Sequence, residues 1–137
     1  MTGNNGAIDV LIAEDNDVNQ MVFSFIMEEL GLTFEIAANG QEAVAKYQQF
    51  QPPLIVMDVS MPVMNGLEAT QKIRELEASS GSKVAIIAAT AHALKGDSER
   101  CLEAGMDDYI AKPISPDKLK EKLDHWRNLA PPAVING

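Results

Sequence analysis

The 137-residue sequence contains one cysteine, Cys101, and only 11 lysines and arginines against 20 aspartates and glutamates. A single thiol excludes an internal disulfide or a paired-cysteine metal site, and it suits the reducing cytoplasm. The net charge of -9 argues against a nucleic-acid partner, because binding to a phosphate backbone depends on clustered basic residues. No apolar stretch approaches the ~18 residues of a membrane-spanning helix, so we expect no direct membrane contact.

The length suits one domain that can bury its own core. We predict a flexible N-terminus over residues 1–7, a single domain over 8–129, and a C-terminal tail or linker stub over 130–137. Within the domain, short apolar runs alternate five times with amphipathic stretches. Strands that alternate with helices across short connections predict a parallel sheet covered on both faces.

Strands are predicted at residues 8–13, 33–37, 53–58, 84–89 and 109–111. Helices are predicted from Asn16 or Asp17 to Gly31, from the Asn39 capping box to Phe50, over 66–77 and 96–104, and from Ser115 through Trp126. The first helix carries apolar residues at helical spacing, namely Val18, Met21, Val22, Phe25, Ile26 and Leu30.

Polar residues stand where four of the predicted strands end: Glu14 and Asp15, Asp58, Thr90, and Lys112. In a doubly wound sheet the first and third strands flank the switch point, so these side chains should converge. Three carboxylates so close together repel one another and call for a cation. Because no Cys or His stands at ligand spacing, the pattern favours Mg²⁺ over zinc.

Asp58 ends an apolar run, and Pro62 soon afterwards prevents the strand from continuing. Alone, such an aspartate is more often a turn former or helix cap, and Thr90 and Lys112 have equally ordinary roles. Together at the strand ends, the five residues favour phosphoryl transfer with Asp58 as the nucleophile. Thr90 would donate a hydrogen bond to the phosphoryl oxygens, and Lys112 would neutralise their charge.

Four motifs carry a resemblance to a known family: Ile12-Ala13-Glu14-Asp15-Asn16, the segment from Met57 to Gly66, Ala89-Thr90-Ala91 and Lys112-Pro113. Through them, residues 8–129 resemble the receiver domain of bacterial two-component response regulators. The resemblance is strongest to receivers of hybrid histidine kinases and to single-domain response regulators. It implies an α/β, flavodoxin-like (βα)5 fold, which is a three-layer sandwich around a doubly wound parallel five-stranded sheet.

The resemblance also implies a role for each acidic residue. Asp58 would be the phosphoacceptor. Mg²⁺, or Mn²⁺ in its place, would be bound by Asp15, Asp58 and the backbone carbonyl of Ser60, with Glu14 acting through a metal-bound water. Many receivers have aspartate at the position of Glu14, so the longer side chain is a departure from the family pattern.

Thr90 and Tyr109 would form the switch, in which the hydroxyl moves to the phosphoryl group and the aromatic ring turns inward. Lys112 would bind the phosphate, and the Lys112–Pro113 bond is expected to be cis. The face formed by the fourth helix, the fifth strand and the fifth helix would then change and relay the signal.

The implied partner is a histidine kinase or a histidine phosphotransfer protein, which would dock near the first helix and residues 113–115. On this interpretation the protein is a cytoplasmic signalling receiver and either a monomer or a weak dimer. It would not be an enzyme with a separate substrate, since it would catalyse only its own phosphorylation and dephosphorylation.

Three other functions share parts of this pattern. An aspartate-nucleophile phosphatase generally needs a second acid two residues after the nucleophile, where this chain has Ser60. A flavin-binding protein of similar fold needs a phosphate-cradling loop after the first strand, where an acidic pair stands instead. A non-phosphorylated receiver that only binds proteins is disfavoured by the complete set of five polar residues.

Overall fold

Five strands and five helices alternate in the structure, a computed structural model that describes residues 8–81, 83–91 and 95–129. The strands are β1 (Val10–Ala13), β2 (Phe34–Ala37), β3 (Leu54–Asp58), β4 (Ala85–Thr90) and β5 (Asp108–Ala111). The helices are α1 (Asp17–Leu30), α2 (Gly40–Phe50), α3 (Gly66–Ser80), α4 (Lys95–Glu103) and α5 (Pro116–Leu129). The predicted flexible N-terminus and C-terminal tail lie outside the described residues.

The strands pair in parallel in the order β2-β1-β3-β4-β5. Because the order reverses between β1 and β3, the sheet is doubly wound, and the predicted fold is confirmed. Helices α1 and α5 cover one face, and α2, α3 and α4 cover the other. Every helix in the described part of the chain is too short or too polar to cross a lipid bilayer.

Strands β1 and β3 form the centre of the core, since every residue of both strands is buried. Side chains alternate along each strand, so Leu11 and Ile55 pack beneath α2 and α3, whereas Val10 and Leu54 pack beneath α1 and α5. Burial of a large apolar side chain contributes about 1.5–3 kcal/mol. This doubly covered strand pair therefore gives the sheet edge at Asp58 a rigid base.

The apolar spacing that predicts α1 mostly marks an exposed surface. Phe23, Ile26 and Met27 pack in the core. Four other apolar residues of the helix face solvent: Val18 (66% exposed), Met21 (70%), Val22 (37%) and Phe25 (72%). We call these four residues the α1 apolar patch.

Most predicted helix ends agree closely with the structure, but α3 is longer than expected. The sequence predicts an end at residue 77, whereas the helix continues through Ser80 and closes at Gly81, which adopts a left-handed φ of 80°. Glu77 is buried and takes part in the charge network described next, which holds the last turn of the helix in place.

A group of largely buried charges lies at the opposite end of the strands from Asp58. We call Arg74, Glu77 and Asp107 the arginine clamp. The Arg74 guanidinium donates to both Glu77 carboxylate oxygens (2.9 Å), Asp107 Oδ2 (2.8 Å), Val84 O (2.7 Å) and Gly105 O (2.8 Å). The Val84 amide donates to the Glu77 carboxylate, and the Ile86 amide donates to the Asp107 carboxylate. The clamp ties α3 to the start of β4 and to the turn before β5.

Candidate functional site

Asp58 lies at the switch point of the sheet, where open α/β folds bind ligands. It is the last residue of β3, next to the end of β1, and only 3% of it is exposed. The chain leaves the strand at this point because the following loop folds back, with the Gly66 amide donating to Val59 O at 2.9 Å.

Glu14, Asp15 and Asp58 form an acidic cluster, in which one carboxylate oxygen of each residue lies within 4.8 Å of the others. Glu14 is fully buried, whereas Asp15 is exposed. The first turn of α1 holds Glu14, since the Asn16 amide donates to its Oε2 at 3.1 Å and Gln20 Nε2 donates to its carbonyl oxygen at 2.6 Å. The cluster therefore combines one fixed carboxylate with one that faces water.

Lys112 is the counter-charge of the cluster. Its Nζ lies 3.1 Å from Glu14 Oε1 and 3.1 Å from Asp58 Oδ2. Burial lowers the pKa of Lys112, but contact with the two carboxylates has the larger combined effect and raises it. Burial and the charge of Glu14 raise the pKa of Asp58 to about 7, against the opposing effect of Lys112. One lysine therefore does not balance the cluster.

The acidic cluster fits a hard divalent cation. Its ligand atoms are all carboxylate oxygens, which Mg²⁺ prefers. Glu14 Oε1 is buried without a hydrogen-bond partner, although the ammonium of Lys112 lies 3.1 Å away. With all three carboxylates ionised, as direct metal ligation requires, the cluster and its one ammonium carry a charge of about -2, which a single divalent cation would neutralise. These observations support Mg²⁺ binding at the cluster.

A cleft of about 560 Å³ opens beside the cluster, and its walls include Asp15, Ser60, Thr90, Asp97 and Arg100. The Ser60 amide donates to Asp58 Oδ1 at 3.3 Å. The Lys112 amide donates to Thr90 O at 2.8 Å, which joins the ends of β5 and β4. The Lys112–Pro113 peptide bond is cis. The predicted hydroxyl and lysine thus end neighbouring strands at the same sheet edge.

Tyr109 lies on β5 outside the acidic cluster. It is half-buried and stands opposite Ala88, two positions before the residue that pairs with Thr90. Lys122 Nζ of α5 lies 5.7 Å from the centre of its ring. The side chain of Asp108, the residue before Tyr109, accepts a hydrogen bond from Trp126 Nε1 at 2.9 Å. The ring therefore packs on the face that α2, α3 and α4 cover, within reach of Lys122 from α5.

The loop of residues 59–65, which we call the β3–α3 loop, bounds one side of the site. A Cβ atom on Gly66 would lie 2.2 Å from the Asp58 carbonyl oxygen, so only glycine allows the loop to return this closely. Val63, at its tip, adopts a φ of 68°, and the Met64 amide donates to Pro62 O at 2.6 Å. A β-branched residue is strained in this conformation.

Two residues that hold the site were missed by the sequence analysis. Gln20 stands one helical turn after the Asn16 cap, and this spacing could have indicated a side chain that returns to the end of β1. Gly40 opens α2 and its amide donates to Met64 O at 2.8 Å. Glycine is a poor helix former, so its place within a helix was the available signal.

Residues 10–124 match the family model of the response regulator receiver domain. The chain is 44% identical over 120 residues to hybrid signal transduction histidine kinase I of Dictyostelium discoideum, a match that covers 84% of this chain and 7% of that protein. It is 32% identical over 162 residues to response regulator sskA of Aspergillus fumigatus, covering 87% and 19% respectively. The chain thus spans a small part of the length of each relative.

Two solved structures resemble this one closely. The receiver domain of response regulator Ssk1 from Saccharomyces cerevisiae, in a co-crystal structure with the histidine phosphotransfer protein Ypd1, gives a TM-score of 0.84 at 34% identity and 88% coverage of both chains. The receiver domain of sensor histidine kinase PA1611 from Pseudomonas aeruginosa, with magnesium in its active-site cleft, gives 0.79 at 41% identity, covering 88% of this chain and 97% of that one.

Proposed function

The chain belongs to the response regulator receiver family, and from this premise we propose that Asp58 accepts a phosphoryl group in a Mg²⁺-dependent reaction. The observation that carries the proposal is the meeting of Asp58 with two further carboxylates within 4.8 Å and with Lys112 Nζ at 3.1 Å. The donor is a histidine kinase or a histidine phosphotransfer protein. The reaction takes place in the cytoplasm, where the buried Cys101 remains a thiol.

The proposed transfer needs no enzyme other than the chain itself. A carboxylate oxygen of Asp58 forms a bond to phosphorus while the phosphorus–nitrogen bond of a phosphohistidine breaks. The imidazole leaves with the electron pair and takes up a proton from water. Lys112 neutralises charge on the phosphoryl oxygens and the Thr90 hydroxyl donates a hydrogen bond to them. Later attack by water on phosphorus would release phosphate and restore Asp58.

The residues that would hold the cation are Asp15, Asp58 and the backbone carbonyl of Ser60, with Glu14 acting through a water. Bound there, Mg²⁺, or Mn²⁺ in its place, would supply positive charge against the phosphoryl oxygens. Support comes from the all-oxygen cluster and the buried Glu14 oxygen that lacks a hydrogen-bond donor. The magnesium ion in the PA1611 receiver belongs to a protein of the same family.

Phosphorylation would be relayed through Thr90 and Tyr109. Movement of the Thr90 hydroxyl to the phosphoryl group would let the ring of Tyr109 turn inward, which changes the face formed by α4, β5 and α5. Trp126, the single tryptophan, donates a hydrogen bond to the side chain of Asp108, the residue before Tyr109. We therefore expect its fluorescence to change on phosphorylation of the wild type and to remain constant in Thr90→Ala.

The α1 apolar patch is the proposed docking surface for a histidine phosphotransfer protein, together with residues 113–115. The patch places four large apolar side chains of α1 in water, and Asp15 of the acidic cluster directly precedes Asn16, the N-cap of that helix. The resemblance to the Ssk1 receiver, which was crystallised with Ypd1, favours this class of partner.

The phosphoacceptor is tested by incubation with Mg²⁺ and acetyl phosphate, followed by the intact mass. The wild type should gain one phosphoryl group, and Asp58→Asn, which keeps the shape and removes the nucleophile, should gain none. Chelation of the metal should abolish the gain. Absence of transfer from both acetyl phosphate and a phosphorylated histidine phosphotransfer protein would contradict the proposal.

Docking is tested by comparing the two donors. Phe25→Ala should slow transfer from the phosphorylated histidine phosphotransfer protein at least about tenfold, as expected for a central apolar interface residue. Transfer from acetyl phosphate should stay unchanged, because Phe25 is 72% exposed and is not a member of the acidic cluster. Leu102→Ala is the matched control, since Leu102 of α4 is 49% exposed on another surface. An equal effect of both variants would exclude the patch.

A further inference from the structure

We propose that Gly40 is a positioning residue for the metal site. Its close backbone contact with Met64 holds the β3–α3 loop, and with it the carbonyl of Ser60, at the position that Mg²⁺ requires. The inference rests on the proposed Mg²⁺-dependent function. Gly40 belongs to neither the acidic cluster nor the cleft, so its role would be indirect.

The contact between α2 and the loop is too close for any side chain. The Gly40 amide donates to Met64 O at 2.8 Å. A Cβ atom on Gly40 would lie 2.2 Å from Met64 O, 2.8 Å from Met64 C and 3.0 Å from Asn65 O, all of them backbone atoms. Gly40 does not adopt a positive φ, so glycine is required here by proximity and not by backbone conformation.

The contact with Gly40 helps to fix the position of the loop. Its base is closed by the bond between the Gly66 amide and Val59 O. Among the residues that the structure describes, two hydrogen bonds join residues 60–64 to elements outside the loop: the bond from Gly40 to Met64 at 2.8 Å and the longer bond from the Ser60 amide to Asp58 Oδ1 at 3.3 Å. The strained φ of Val63 favours a different loop conformation, so an external contact must hold this one.

The position of this loop is important because Mg²⁺ binding requires precise ligand geometry. Alanine at position 40 would force the loop or α2 to move by about 1 Å to restore ordinary contact. Mg²⁺ demands near-octahedral geometry with ligands at about 2.0–2.1 Å, whereas Ca²⁺ accepts irregular geometry at about 2.3–2.6 Å. Displacement of the Ser60 carbonyl should therefore weaken Mg²⁺ binding more than Ca²⁺ binding, which general destabilisation would not do.

The experiment uses the full chain and compares Gly40→Ala with the wild type. Gly96→Ala is the matched control, because Gly96 lies in α4 and a Cβ there meets no atom within 4 Å. The dissociation constants of Mg²⁺ and Ca²⁺ are measured by calorimetry. We expect the Mg²⁺ constant of Gly40→Ala to rise about 10–100-fold, as for other outer-shell changes, and that of Ca²⁺ by less than about threefold. Gly96→Ala should match the wild type.

Phosphorylation gives a second readout. With acetyl phosphate as donor, Gly40→Ala should need more Mg²⁺ for half-maximal rate, while its rate at saturating Mg²⁺ stays close to that of the wild type. An unchanged Mg²⁺ constant, or an equal loss of Mg²⁺ and Ca²⁺ affinity, overturns the inference. A wild type that binds no Mg²⁺ instead overturns the proposed function on which it rests.

A wild-type measurement covers the case in which Gly40→Ala does not fold. Since linkage is reciprocal, a contact that favours Mg²⁺ binding must itself be strengthened by Mg²⁺. Amide hydrogen exchange at Gly40 should therefore slow on addition of Mg²⁺. The reference is the amide of Gln51, which donates to Tyr47 O at the other end of α2 and should exchange at an unchanged rate. Equal responses at the two amides would refute the inference.

Discussion

A group of charges lies at each end of the parallel strands, the arginine clamp at the amino ends and the acidic cluster at the carboxyl ends. The two groups differ in how completely their charges are paired. In the arginine clamp, one guanidinium binds two carboxylates, and backbone amides of the β4 segment donate to the same carboxylates. In the acidic cluster, one ammonium pairs with two of the three carboxylates, and a buried oxygen of Glu14 has no hydrogen-bond partner.

This difference separates a structural role from a functional one. A buried charge network stabilises a fold only when its members are paired and hydrogen-bonded. The clamp meets this condition with the chain's own groups. The acidic cluster does not, and its deficit of positive charge fits the cation site proposed above.

The largest effect should follow from breaking the clamp. Arg74→Met removes the cation of buried Glu77 and leaves Asp107 only the exposed Lys83, 3.8 Å away, which should lower the free energy of unfolding by about 3–5 kcal/mol. Urea unfolding followed by circular dichroism measures the change. Lys120→Met is the control, because its ion pair with Asp124 is exposed and should contribute less than about 1 kcal/mol. Similar losses in the two variants would show that the clamp has no special role.

At the acidic cluster, removal of a charge should instead raise the free energy of unfolding. The pKa of Asp58 is about 7 in the folded, metal-free protein and 3.8 ordinarily, so between these pH values the folded state holds a proton that the unfolded chain has lost. Protonation of Asp58 therefore contributes fully to the free energy of unfolding below about pH 4, and this contribution is lost as the pH rises through 7. Asp58→Asn should abolish the dependence and be more stable than the wild type at pH 8, by roughly 2–4 kcal/mol.

The measurement is urea unfolding of both proteins from pH 5 to 8 in the presence of a chelator. Mg²⁺ added at pH 8 should then stabilise the wild type, by about 2.7 kcal/mol at a hundred times its dissociation constant, and leave Asp58→Asn much less affected. At pH 5 the proton on Asp58 competes with the metal, so the effect of Mg²⁺ should shrink. A wild type whose stability rises from pH 5 to 8 without metal would refute the assignment.

The smallest effect concerns backbone strain beside the cluster. Val63 is 75% exposed and adopts a φ of 68°, so its side chain gains little from packing. Val63→Gly should raise the thermal midpoint, with a net gain of about 1 kcal/mol after the extra entropy of glycine in the unfolded chain. Val59→Gly, in the same loop but without positive φ, should instead destabilise. A loss of stability in Val63→Gly would show that the turn is not strained.

The central strands and the acidic cluster could be predicted because their signals are local. The apolar run before Asp58 and the proline after it mark the strand end, and parallel topology then brings the strand ends together. The contact of Lys112 with Glu14 and Asp58 follows from the same rule.

Other features could not be predicted, because they depend on distant parts of the chain. Spacing identifies α1 as a helix, but an apolar stripe looks the same whether it faces a core or solvent. The clamp joins Arg74 to Asp107, which are 33 residues apart, and no local sequence pattern predicts such a pair. The contact between Gly40 and Met64 likewise becomes visible only when α2 and the loop are placed together.

The strand order also has a consequence for biosynthesis. Glu14 and Asp58 emerge from the ribosome well before β5, the last strand, which delivers Lys112. A nascent chain that packs β1 against β3 early would bury two carboxylates without their ammonium, an arrangement that disfavours premature closure of the core. The acidic cluster therefore gains its ammonium only when β5 joins the sheet, so the site is complete only when the sheet is complete.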